Sequence, residues 1–216
     1  MKKNLTELVF VVDRSGSMGG LESDTIGGIN ATLARNREAE GEAIVSIVLF
    51  DNESKVLVDR VPIEEVRDLT TDDYQVRGCT ALLDCLGDSI RHIGRVQGYM
   101  PDDHKAEHVI FVITTDGYEN ASKRHTYADV KRTIEQRTEE GWEFVFLGAN
   151  IDAVGEAARI GISADRAATY IADSVGSAVM FDCVGDVCLS MRCESPDELP
   201  GAEWKSAIEE DVAARG

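Results

Sequence analysis

Residues 9–20 read VFVVDRSGSMGG, and the rest of the chain can be read outward from them. Four apolar residues mark a buried strand. It ends on Asp13 and runs into Ser15, Ser17 and a turn with glycines at 16, 19 and 20. A carboxylate and two hydroxyls at the mouth of a buried strand are polar groups that need partners. In doubly wound sheets that position, outside the carboxyl ends of the strands, is where ligands bind.

Further apolar runs alternate with amphipathic stretches, the pattern of an α/β protein. Strands are expected at Leu8–Asp13, Ala43–Phe50, Lys55–Val61, Val109–Thr115 and Glu143–Ala149. IVSIVLF, VIFVI and FVFLG are nearly continuous in apolar residues, as strands covered on both faces of a parallel sheet would be. Only DNES separates the second strand from the third, too little for a parallel crossover. Those two therefore form an antiparallel hairpin, with the third strand at an edge and Pro62 ending it. Helices are expected near 24–40, 81–97, 127–140 and 152–160. The stretch 174–193 allows either a covering helix or two short strands around Gly185-Asp186. CESPDELPG reads as a linker, followed by a terminal helix with Trp204, Ile208 and Val212 four apart.

Forty acidic residues against 22 basic give a net charge of −18. Such a chain lacks the basic face that nucleic acid requires and is repelled by anionic membranes. The apolar run near the N-terminus is too short for a leader, and no segment approaches the length of a membrane span. The five cysteines, at 79, 85, 183, 188 and 193, read as reduced thiols in a cytoplasmic protein. His104 and His108, four apart before a strand, read as surface histidines.

With a strand order of 3-2-1-4-5 the switch point falls between the first and fourth strands. Asp13, Ser15 and Ser17 follow the first; Thr114, Thr115 and Asp116 follow the fourth. RGCTALLD adds Thr80 at the start of a helix. Carboxylates and hydroxyls without histidine or cysteine select hard divalent ions. An ion held mainly by neutral hydroxyls keeps much of its charge and attracts an external carboxylate.

These clusters resemble the metal-ion-dependent adhesion site of von Willebrand factor A domains: Asp13-x-Ser15-x-Ser17, then Thr80, then Asp116-Gly117. The likeness covers roughly residues 5–172 and is nearest to stand-alone bacterial cytoplasmic members. It implies a three-layer, doubly wound, Rossmann-like α/β domain over 1–172, mostly parallel with one antiparallel edge strand. Residues 173–216 would form an extension packed on the same domain. It further implies Ser15, Ser17 and Thr80 as direct ligands of Mg²⁺ (or Mn²⁺ or Ca²⁺), with Asp13 and Asp116 as outer or exchanging ligands. A partner protein's Asp or Glu would complete the shell, in settings such as ring-forming ATPases or stress responses. The expected protein is a binding module, not an enzyme. Whether Thr114 or Thr115 orients the site stays open at this level. Asp84 reads as helix-dipole support or a sixth ligand, and Arg14 as structural or as a receiver for a partner's anion.

RSGSMGG contains neither a P-loop nor a dinucleotide fingerprint, and neither serine has the flanking glycines of a nucleophile elbow. The alternative function is a Mg-dependent hydrolase or phosphatase of haloacid dehalogenase type, which also places an Asp after its first strand. That class usually carries a second Asp where Ser15 stands. It also needs a lysine at the site, and Lys55, Lys105 and Lys123 have no motif around them.

Overall fold

A computed structural model describes residues 1–193 and 200–216. Part of the expected linker, residues 194–199, lies outside the described residues. Six strands form one sheet: β1 (Lys2–Asp13), β2 (Glu42–Phe50), β3 (Ser54–Pro62), β4 (Ala106–Thr115), β5 (Trp142–Ala149) and β6 (Ala167–Tyr170). Their order is β3-β2-β1-β4-β5-β6. β2 and β3 pair antiparallel and every other neighbour is parallel. The hairpin and the central switch point between β1 and β4 are as the sequence implies. β6 extends the order by one strand. At four residues, AATY, it is too short to announce itself by periodicity.

The helices are α1 (Glu22–Glu38), α2 (Leu82–Tyr99), α3 (Tyr127–Glu139), α4 (Ala153–Arg159), α5 (Ser174–Cys193) and α6 (Ser206–Arg215). Alternation along the strands divides the core in two. Leu8, Phe10 and Val12 of β1, with Ile110 and Val112 of β4, face α1, α5 and α6. Val9 and Val11, with Val109, Phe111 and Ile113, face α2, α3 and α4. That is the three-layer arrangement of a doubly wound sheet.

Residues 174–193 form a helix rather than a hairpin. Against expectation, α5 is long and apolar enough to match a membrane span. Its composition has another cause: it lies between α1 and α6 and over the sheet, so much of its circumference is buried. Its Phe181 ring rests directly on Gly28 of α1, where an added Cβ would fall 2.0 Å from the ring. Trp204 lies in a 3-10 turn before α6, while Ile208 carries the buried contact of that helix.

Two polar features tie the sheet edge and the loops. Glu7 is fully buried in β1 and is met by Arg60 Nε at 2.5 Å and Gln97 Nε2 at 2.5 Å. Thr126 starts α3 with a reciprocal capping box to Asp129.

Candidate metal centre

The carboxyl ends of β1 and β4 lie side by side, with Val12 opposite Thr114. Beyond them the chain must turn, and a run of polar side chains there satisfy one another. Asp13, wholly buried, accepts from the Ser15 amide at 2.6 Å on Oδ1 and from the Thr115 hydroxyl at 2.6 Å on Oδ2. Ser15 Oγ lies 3.1 Å from Ser17 Oγ, and Ser17 Oγ donates to Asp116 Oδ1 at 2.6 Å. One continuous chain of contacts therefore runs Thr115–Asp13–Ser15–Ser17–Asp116.

Thr80 joins from the third loop. A Cβ placed on Gly117 would stand 3.3 Å from Thr80 Oγ1 and 3.5 Å from Ser17 Oγ, so both hydroxyls border the space left by that glycine. All five expected site residues, Asp13, Ser15, Ser17, Thr80 and Asp116, sit at this one end of the sheet. Thr115 is the orienting threonine, because it faces Asp13. Thr114 points to the other face, where its hydroxyl is buried without a partner.

The loops are fixed in part by Asp51, Tyr74, Arg77 and Asn120, which sequence patterns did not single out. The Gly16 amide donates to Gly78 O, Arg77 N to Arg14 O and Ala81 N to Asp51 O. Asp51 is buried, accepts from Arg77 Nε at 2.7 Å and lies 3.0 Å from Arg14 Nε as an ion pair. Arg14 is thus only 6% exposed and turned toward Asp51, which corrects the expectation that it could receive a partner's anion. Asn120 holds Thr80 from above, its side-chain oxygen accepting from the Thr80 amide at 3.0 Å. Tyr74 donates to the Asp13 carbonyl at 2.5 Å. Asp84 is no sixth ligand: its carboxylate accepts the amides of Lys123, Arg124 and His125. An Asp in the first turn of an amphipathic helix carried no sign of that task, and Asp51 looked like an ordinary hairpin residue.

Burial pushes the Asp13 carboxyl up to about 6, against the hydrogen bonds from Thr115 and Ser15 that favour its charged form. Burial also raises Asp116. No lysine or arginine pairs with either carboxyl among the described residues. Nor do three His, Cys, Asp or Glu side chains gather as a metal cluster among them. The donors are instead two carboxyls that lack a countercharge and three hydroxyls, a set that fits a hard divalent cation.

No family model and no curated protein sequence matches the chain. Solved structures do. Proximal thread matrix protein 1 from the mussel byssus superposes with a TM-score of 0.60 at 15% identity, over 88% of this chain and 48% of that one. A von Willebrand factor type A protein from Catenulispora acidiphila gives 0.53 at 19%, over 88% and 43%. The vWF domain of the type V pili tip protein Mfa5 from Porphyromonas gingivalis gives 0.56 at 11%, over 88% and 97%. The fold is that of a von Willebrand factor A domain. The likeness, at these identities, is one of fold alone, and the chain spans about half the length of the mussel protein. One structure of that mussel protein is described with a zinc-occupied MIDAS motif. This von Willebrand factor A fold brings Asp13, Ser15, Ser17, Thr80 and Asp116 to the switch point of its sheet.

Proposed function

We propose that the protein is a non-enzymatic, metal-dependent protein-binding module of the cytoplasm. Ser15, Ser17 and Thr80 would hold a divalent cation, Mg²⁺ before Mn²⁺ or Ca²⁺, with Asp13 and Asp116 behind them. When bound, the cation supplies a positive centre that accepts a carboxylate oxygen from a partner's Asp or Glu. The chain's own residues prepare that event. Thr115 and the Ser15 amide fix both oxygens of Asp13, so the carboxylate is oriented before any ion arrives. Ser17 spans from Ser15 to Asp116 and can exchange its hydrogen bonds for a metal contact.

The observation that carries this reading is the pair of carboxyls without a countercharge, interleaved with serine and threonine hydroxyls. The zinc described in the mussel protein of the same fold supports it. On a chain of net charge −18 a bound divalent ion would create a local attraction for an acidic partner that the remaining surface repels. The partner would belong to a ring-forming ATPase system or a stress response. Stand-alone bacterial von Willebrand factor A proteins are the relatives this setting suggests.

Calorimetry with Mg²⁺ tests the first half. Wild type should bind one ion and Asp13→Ala should bind none while melting within a few degrees of wild type. Equal affinity in the two would overturn the assignment. Capture of a partner with and without EDTA tests the second half. A complex that survives chelation would exclude bridging.

A further inference from the structure

Away from the switch point, α2 and α3 leave a cleft of about 290 Å³ whose charged lining is basic. Three arginines reach it, Arg91 and Arg95 from α2 and Arg137 from α3, together with His125 and Thr133. Among the described residues no carboxylate is part of the lining, and Asp88 lies behind His125 and Arg91. On a chain with 40 acidic residues this is a marked segregation of charge.

The cleft depends on two glycines of α2. A Cβ on Gly87 would lie 2.8 Å from the His125 ring, and a Cβ on Gly94 would lie 2.3 Å from Arg137 Nη2. Their absence lets the imidazole and the guanidinium seat against the helix backbone. Each is then held: His125 Nε2 lies 3.0 Å from Asp88, and Arg137 stacks on Trp142 at 4.8 Å and meets Glu140. Asp88 also takes Arg124 at 2.8 Å, so that carboxylate is shared among Arg124, His125 and, more distantly, Arg91. Arg91 reaches no closer than 3.9 Å to Asp88, and Arg95 makes no ion pair among the described residues. Like charges four residues apart on a helix repel each other, a repulsion that a bound anion relieves.

We infer that this cleft is an anion site for the diphosphate group of a small molecule. Guanidinium forks match phosphate oxygens in pairs, and Arg91 and Arg95 supply two forks. The volume exceeds what one phosphate fills and lies at the small end of ligand pockets.

The test is calorimetric titration of the full chain in low salt with EDTA, which keeps divalent ions from the switch-point site. Inorganic diphosphate and adenosine diphosphate are the probes. Saturable one-to-one binding is expected for at least one, and the tighter of the two names the source as inorganic or organic. Arg91→Gln with Arg95→Gln, both exposed, should weaken it by about tenfold or more. Asp13→Ala should bind as wild type does. The inference falls if neither probe saturates, or if the double variant binds like wild type. It falls too if Asp13→Ala abolishes binding, which would place the anion at the other site. An oligoglutamate peptide that binds while both phosphates fail would likewise overturn it.

Discussion

The two neighbouring threonines at the end of β4 have opposite environments, and their substitution should separate them. Thr115 gives its hydroxyl proton to Asp13, whereas Thr114 Oγ1 is buried with no partner. Thr115→Val should leave Asp13 short of a donor and lower Mg²⁺ affinity by about tenfold, read by calorimetry. Thr114→Val removes an unsatisfied hydroxyl and should be neutral or stabilising by about 1 kcal/mol in chemical denaturation. Both residues were visible in the sequence as TTDG. Strand alternation says that only one can face β1's carboxylate, but the choice depends on register, which pairing with β1 fixes. Asp51 and Asn120 were not legible, because each acts on a backbone or an arginine distant in sequence.

At the scale of elements, the loop before α3 is held by one carboxylate. Burial alone would raise Asp84, but the amides of Lys123, His125 and Arg124 outweigh it and hold the carboxyl below its usual range. A folded value below the unfolded one means stability that is present above about pH 4 and lost as pH falls through the folded value. Hydrogen exchange at residues 123–125 should therefore accelerate below pH 4 before the core strands open, and Asp84→Asn should show that acceleration already at pH 7. Within the sheet, Arg60→Ala would strand the buried Glu7 charge and should cost about 3 kcal/mol. Glu7→Leu with Arg60→Leu should cost less than that single change, measured in urea. The helix over 174–193 belongs to this scale as well. Its cysteines at five-residue spacing fit no single face, and Cys183 and Cys188 are buried while Cys193 is exposed. Contact with α1 on one side and α6 on the other resolves what periodicity left open.

For the whole molecule, a ligand that binds only the folded state raises its stability by mass action. At a hundredfold excess of Mg²⁺ over its dissociation constant the gain is about 2.7 kcal/mol, or roughly 5–10 °C in Tm for a chain of this size. The shift should vanish in EDTA and in Asp13→Ala. A Tm indifferent to Mg²⁺ over the millimolar range would contradict the proposed centre. The separation of the two candidate sites, one at the carboxyl ends of β1 and β4 and one between α2 and α3, predicts independent behaviour. Diphosphate in EDTA should stabilise Asp13→Ala as much as it stabilises wild type.

Local chemistry in the sequence determined the layered α/β plan, the hairpin of β2 and β3, and the three clusters of hard oxygens. Apolar runs, a four-residue gap and side-chain type are all properties of short segments. The tertiary structure alone decided which threonine faces Asp13, what Arg14 and Asp84 hold, the existence of β6, and the arginine cleft. Each of those arises where residues far apart in the chain meet across a sheet or between helices. One-dimensional spacing carries no information about which atoms will be left to share a buried charge.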